Sequence, residues 1–330
     1  MTWLPLSQTS ADSDLDNVLA HQPRAGRSLK NFLSVAEGVN DSALLHLCRL
    51  RLAQLMNCRA QLAGVEPGLL QALESWKQSK RFTALEKAAL DYAEQFMVGA
   101  NNISASQRDN LARELGVGEP STFVYGLYIN EGFLRLLTFF DIDPYPPNWL
   151  VPASRDLEEK SDREHIEWVE GQKSETDSRL MAAYYDFNLA TCSQHGVDET
   201  TDEVVRLRSA EYHDCKFCQS VRRVLDLPEG VDDLMAEVRH YEKSTALTGQ
   251  QKTALAVLDT FVASPAQVDE NLKSRILAHF SPAQIVELLL KEVFWMSNKP
   301  MISLGTDPGP VSPEATTPFE YDREGNFAIL

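Results

Sequence analysis

The chain repeats itself at long range, and this restricts its fold more than any other feature. Residues 49–58 read Arg-Leu-Arg-Leu-Ala-Gln-Leu-Met-Asn-Cys, and residues 206–215 read Arg-Leu-Arg-Ser-Ala-Glu-Tyr-His-Asp-Cys. Five of ten positions are identical, and Gln54/Glu211 and Asn57/Asp214 are conservative pairs. Further on, Lys87-Ala88-Ala89-Leu90 is matched by Lys252-Thr253-Ala254-Leu255, Phe96 by Phe261, and Asp143-Pro144 by Asp307-Pro308. The offsets of 157, 165 and 164 residues make the three matches collinear, and duplication explains collinear matches better than chance does. A length of 330 residues accommodates two such units, at roughly 150 residues per domain.

Helical periodicity dominates both halves. Leu85, Ala88, Ala89, Tyr92, Ala93 and Phe96 fall on one stripe of residues 84–98, and Ile285, Leu288, Leu289 and Val293 do so within 283–295. That spacing is the signature of an amphipathic helix packed on a core. Alternating β-branched patterns are nearly absent, so an all-α fold is expected. Pro144, Pro146, Pro147 and Pro152, followed by a charged stretch from Arg155 to His165, predict a linker at 144–165, since proline cannot continue a helix. The expected organisation is therefore a domain over 1–150, a second over 151–305, and an extended tail over 306–330. The tail holds Pro308, Pro310, Pro313 and Pro318 and ends in Phe327-Ala328-Ile329-Leu330, an apolar end that either frays or docks on a neighbouring surface.

Composition excludes several partners. Hydrophobic residues make up 43% and charged residues 24%, and 31 basic against 48 acidic side chains leave a net charge of −17. An acidic surface repels phosphate backbones and anionic lipid, so neither nucleic acid nor a membrane surface is an expected partner. No apolar run approaches the ~20 residues of a membrane span. The first residues, Met1-Thr2-Trp3-Leu4-Pro5-Leu6, lack the basic and apolar regions of a secretory signal, and a cytoplasmic location is expected. Five cysteines in this length are no disulfide scaffold, so a close pair points to redox or metal chemistry.

That pair is Cys215-Lys216-Phe217-Cys218. Asp214 reads as an N-cap, with Asn57 in the same place in the first copy, which would put both cysteines in the first turn of a helix. Helix N–H groups and the dipole stabilise a thiolate there. Arg222, four residues after Cys218, would lie on the same face and lower the thiol pKa further. Three readings of the pair stand side by side: a redox couple, inert buried thiols, or part of a zinc site with His213. The zinc reading is short of ligands. Glu203 and Arg222 each have a structural reading too, as a solvated first-turn carboxylate and as an ordinary surface charge. Cys48, Cys58 and Cys192 read as small core residues, and Trp76, Trp149, Trp168 and Trp295 as packing residues.

Glu203 followed twelve residues later by Cys215-x-x-Cys218 resembles the active-site signature of the AhpD-like alkylhydroperoxidases, within the carboxymuconolactone decarboxylase family. Ala63-Gly64-Val65-Glu66, Leu73-Glu74-Ser75-Trp76 and Phe82-x-x-x-Glu86-Lys87-Ala88-Ala89-Leu90 are similar to the same family. The resemblance covers most of residues 25–145 and 180–305. It implies two tandem AhpD-like helical bundles and a thiol-based peroxidase or protein-disulfide reductase with no metal or organic cofactor. Cys218 would be coupled to a proton relay that includes Glu203, and Cys215 would close the disulfide and exchange with a partner. It also implies a homo-oligomer, here a dimer or trimer of chains.

Two departures from the family pattern bear on function. The family histidine four residues after the second cysteine is replaced by Arg222, which stays protonated and can hold a thiolate but cannot pass a proton. The first copy keeps Cys58 but has Gln61, His46 and Val65 where the second has Cys218, Glu203 and Arg222, so it cannot form the disulfide. The leading expectation is thus a thiol oxidoreductase with one live site acting on a peroxide or a disulfide. The alternatives are a non-enzymatic oligomeric scaffold with a vestigial site and an acid-base enzyme of the decarboxylase type.

Overall fold

The computed structural model describes residues 2–7, 13–116, 119–142, 176–226, 234–312 and 315–330. The expected linker at 144–165, with Trp149, Trp168 and His165, lies outside the described residues. The fold is all-α. Its helices are α1 (Asp14–Leu19), α2 (Pro23–Val39), α3 (Ser42–Met56), α4 (Arg59–Leu62), α5 (Pro67–Glu74), α6 (Ala84–Gly99), α7 (Ala105–Leu115) and α8 (Glu119–Phe139) in the first half. The second half holds α9 (Ser178–Cys192), α10 (Glu199–Tyr212), α11 (Lys216–Ser220), α12 (Leu234–Arg239), α13 (Gly249–Ala263), α14 (Glu270–His279), α15 (Pro282–Trp295) and α16 (Asn298–Leu304).

Local chemistry sets many of these boundaries. Asp41 and Asp198 cap α3 and α10 by accepting main-chain N–H bonds. Thr83 with Glu86, and Thr248 with Gln251, form capping boxes at α6 and α13, each satisfying N–H groups that have no partner inside the helix. The stripe expected on 84–98 is buried at Ala88, Ala89, Tyr92, Ala93 and Phe96.

Side-chain contacts recur at the repeat offsets. Arg51 donates to Glu94 at 2.5 Å and to Gln54 at 3.1 Å, and Arg208 donates to Asp259 at 2.9 Å and to Glu211 at 3.0 Å. Trp76 donates to Glu94 as Tyr241 does to Asp259. The two halves nevertheless share one continuous buried core, running from Leu4 to Met296. Helix α2 lies along α9, and α8 packs on α15. At that second contact Gly132 is required: a Cβ there would stand 2.7 Å from a methyl of Val293. One turn earlier on the same helix, the Tyr128 hydroxyl donates to the Val293 carbonyl oxygen at 2.8 Å.

The described residues of the tail include two paired strands. Strand β1 (Val221–Arg223) leaves α11 and pairs in parallel with β2 (Thr317–Tyr321), with Val221 opposite Thr317 and Arg223 opposite Phe319. Strand β3 (Phe327–Ile329) returns antiparallel to β2, with Phe319 opposite Ile329. Asp322 turns the hairpin by accepting the N–H groups of Glu324 and Asn326, and Gly325 takes a φ of 94°, a left-handed value that favours glycine. The apolar end is held by pairing with β2 and by the Phe327 ring against Phe319, while Ile329 and Leu330 stay exposed.

Candidate functional site

Helix α10 ends at Tyr212, and the chain turns through Asp214 at a φ of 53°. Asn57 does the same after α3, at a φ of 55°. Asp and Asn tolerate this left-handed conformation better than other side chains. Asp214 is therefore a turn residue and not the expected N-cap. The cap of α11 is Cys215 itself, whose Sγ accepts the N–H of Cys218 at 3.1 Å. Cys215 thus precedes the helix, and only Cys218 lies within it.

The two cysteines are joined as a disulfide, with Cα atoms 5.3 Å apart. Cys215 is fully buried, whereas Cys218 is half-buried. The remaining cysteines, Cys48, Cys58 and Cys192, lie outside any disulfide and are buried. Burial pushes the Cys192 thiol up to about 12 and raises that of Cys48 as well. These three match the expected core role.

Glu203 is placed near the pair but is occupied. It is 2% exposed, and its two oxygens accept from Arg206 Nε at 2.6 Å and Nη2 at 2.7 Å. It also accepts the N–H of Arg223 at 3.2 Å. Arg206 in turn donates to the carbonyl oxygens of Cys218 and Val221, each at 2.9 Å. The ion pair clamps both ends of the segment that follows Cys215. Its signal was present in the sequence, since Arg206 matches Arg49 in the repeat and stands three residues after Glu203, close enough for contact on a helix.

Arg222 does not share a helical face with Cys218. Helix α11 stops at Ser220, and Arg222 lies in β1, where its Nη1 donates to the carbonyl oxygens of Gln219 at 2.7 Å and Val221 at 3.0 Å. Val221 is β-branched and its strand finds a partner in the tail, so pairing takes over where the helix would have continued.

Other groups come to the pair from distant parts of the chain. Asn298, at the start of α16 and 5% exposed, donates through Nδ2 to Cys218 Sγ at 3.4 Å. Its Oδ1 is buried without a hydrogen-bond partner among the described residues. Deeper in, His213 Nε2 lies 3.9 Å from Glu292 Oε1, which accepts from Ser209 at 3.0 Å. Burial holds His213 well below its ordinary range, with Lys299 and Arg135 adding to the effect, and pushes Glu292 well above its own. Lys299 donates to both oxygens of Glu131 at 2.7 and 2.6 Å, and burial brings its amine down to about 8. None of these contacts is visible at the level of local spacing.

The tail covers the same segment. Asp307 accepts the Lys216 N–H at 3.3 Å, Ser220 Oγ accepts the Val311 N–H at 2.9 Å, and the rings of Phe217 and Phe327 are 6.2 Å apart. Phe319, fully buried, lies 4.9 Å beneath the Arg206 guanidinium.

At the matching place in the first copy, Cys58 holds the N-cap position of α4 without a side-chain cap bond, and Gln61 is buried. Arg49 meets His46 at 2.9 Å and also pairs with Glu37. The arginine is thus retained while the acid and the second thiol are not. Among the described residues no group of three or more His, Cys, Asp or Glu is placed to hold a metal ion. Nor is any described helix long and apolar enough to cross a membrane.

No protein-family model matches the chain. Two curated relatives, the uncharacterized proteins MT2376 and Rv2313c from two strains of Mycobacterium tuberculosis, are each 30% identical to it over 227 residues. The match covers 67% of this chain and 73% of either relative.

Proposed function

The chain belongs to the family of these mycobacterial proteins, and within it we propose that it is a thiol-dependent oxidoreductase working through Cys215 and Cys218. The observation that carries this reading is the asymmetry of the pair. One cysteine is fully buried, the other is half-buried, and their sulfurs are joined across the start of a short helix. A redox couple needs one sulfur that meets the outside and one that resolves the product. Cys218, the less buried of the two, is the better placed to meet an oxidant, and Cys215 to resolve the product. The family resemblance would instead have Cys215 exchange with a partner, and its complete burial argues against that.

The cycle balances with these two groups. The thiolate of reduced Cys218 attacks the terminal oxygen of a hydroperoxide. The O–O bond breaks, its electron pair leaves on the alkoxide, and the alkoxide takes up the proton that Cys218 released. The resulting sulfenic acid condenses with the Cys215 thiol, forming the S–S bond and releasing water. With a disulfide as the oxidant, the same thiolate attacks sulfur and a mixed disulfide takes the place of the sulfenic acid. An external dithiol reduces the pair again.

Free-thiol titration tests the proposal. Mild hydroperoxide or a small disulfide should remove two thiols quickly from the reduced chain. Cys218→Ser should abolish this loss, whereas Cys58→Ser should leave it intact. Equal damage from both variants would refute the single live site.

A second reading draws on the tail, which is anchored to the residues directly after the pair. A disulfide there would act as a staple for a scaffold. Under that reading reduction lowers stability but turnover is absent. In either case we propose a cytoplasmic homo-oligomer of two or three chains, which light scattering at micromolar concentration would check.

A further inference from the structure

We propose that the side-chain amide of Asn298 ionises Cys218 and makes it the nucleophile of the pair, an inference that rests on the redox reading above. The helix dipole and Arg222 are not placed as the residue spacing predicts. Cys215 and not Asp214 caps α11, which is only five residues long, and Arg222 is turned onto two carbonyl oxygens. What reaches the sulfur is Nδ2 of Asn298, at 3.4 Å.

The orientation of that amide follows from the oxidation state. A disulfide sulfur carries no hydrogen and can only accept, so an amide facing it must present its N–H. When the pair is reduced, the same N–H meets a thiolate. A hydrogen bond to a charged acceptor is about twice as strong as one to a neutral acceptor, and bonding to the charged form lowers a pKa. Cys215 receives the Cys218 N–H but is fully buried, and burial raises a thiol pKa. The two thiols are thereby separated, with Cys218 ionising first.

The charged groups of the neighbouring segments are engaged with partners of their own. Arg206 is bound to Glu203, Lys299 to Glu131 and Lys216 to Asp214, while Asp307 faces the Lys216 N–H. Asn298 is also well anchored, since it immediately precedes Lys299, whose ammonium is held by Glu131 on α8.

The other end of the amide does not meet the oxidant. Oδ1 of Asn298 is buried and without a partner among the described residues, a costly state for an acceptor. Oδ1 and Nδ2 of one amide are about 2.2 Å apart, from the bond lengths and the trigonal angle at the amide carbon. Oδ1 therefore lies within about 6 Å of the sulfur. With no accessible surface, Oδ1 takes no bond from an incoming oxidant, and the amide acts on the nucleophile through Nδ2 alone.

The experiment follows iodoacetamide alkylation of Cys218 against pH in a Cys215→Ser chain, where no disulfide can form. Asn298→Ala should raise the midpoint by on the order of a unit, typical of losing one bond to the charged form. Arg222→Ala should move it less. An unmoved midpoint in a folded Asn298→Ala chain overturns the proposal. If alanine prevents folding, Asn298→Asp serves instead: the near-isosteric carboxylate should raise the midpoint further, and an unmoved midpoint again overturns it. In the chain with both cysteines, Asn298→Ala should slow reaction with a hydroperoxide and with a small disulfide alike at neutral pH, because both need the Cys218 thiolate; unchanged rates overturn the proposal. If the unaltered chain reduces neither oxidant, the redox function fails, while the alkylation midpoint still decides the role of Asn298.

Discussion

Arg206 donates to the main-chain oxygen of Cys218 at 2.9 Å while its other nitrogens hold Glu203, so the geometry of the cysteine segment depends on a buried ion pair. Removing one partner of such a pair leaves an uncompensated charge in the interior. Arg206→Met should therefore destabilise the chain by about 3–5 kcal/mol, read by denaturant unfolding. Arg206→Met with Glu203→Leu should recover much of that loss, because paired removal leaves no stranded charge. A double variant no more stable than the single one would mean that the hydrogen bonds to Cys218 and Val221, rather than the ion pair, dominate.

The tail depends on one ring. Phe319 is fully buried beneath Arg206, with the Phe327 ring 5.0 Å away. Phe319→Ala should cost about 3–5 kcal/mol, the usual range for emptying a buried phenylalanine site. It should also free residues 315–330 for early proteolysis. Cys218 should then be alkylated faster in the reduced chain, because the strands covering its segment are loosened. A protease-resistant tail in this variant would show that β2 is held by backbone pairing alone.

The parts legible in the sequence are those set by short-range chemistry. Helices α6 and α15 follow from apolar spacing, and the breaks after Met56 and Tyr212 coincide with the repeated block. The capping role assigned to Asp214 failed because an Asp beside a helix end fits a left-handed turn as well as an N-cap, and only the preceding helix decides between them. Arg222 was misplaced for a related reason: extending α11 by periodicity ignores a strand partner at 317–321. Asn298 was invisible, since its value lies in where α16 is packed. The hairpin left a faint trace in Asp-Arg-Glu-Gly-Asn between Tyr321 and Phe327, a turn composition flanked by aromatic residues that favour strands.

The docking of the two halves can be probed at Gly132. A Cβ at this position would approach a methyl of Val293 to 2.7 Å. Gly132→Ala should cost about 1–3 kcal/mol through overpacking, even though alanine is the better helix former. Val293→Ala added to it should restore part of the loss by making room. Thermal unfolding of the single and double variants decides this: strictly additive losses would mean that α8 and α15 separate rather than clash.

The last prediction concerns the buried pair His213 and Glu292, whose nearest atoms are 3.9 Å apart. Burial raises Glu292 above its ordinary 4.5, so its stabilising contribution is complete below that value and is lost as pH rises through its folded pKa. Burial lowers His213 below its ordinary 6.5, so its contribution is present above that value and is lost as pH falls through its own folded pKa. The neutral forms of both groups are therefore the ones the fold accepts, and stability should decline on both sides of an intermediate range. Glu292→Gln keeps the size and neutrality of the protonated acid, and should flatten the alkaline limb of a plot of Tm against pH. His213→Gln should flatten the acid limb. Lys299 complicates the raw curve, because an amine brought from 10.5 to about 8 gains stability as pH rises through that interval. Burial, the main cause, acts in both chains, but Glu292 also raises the Lys299 amine, so the informative quantity is the difference between the unaltered chain and Glu292→Gln at each pH below about 8, where the Lys299 contribution changes least. A difference that does not change with pH would mean that Glu292 is ionised throughout and that water reaches it.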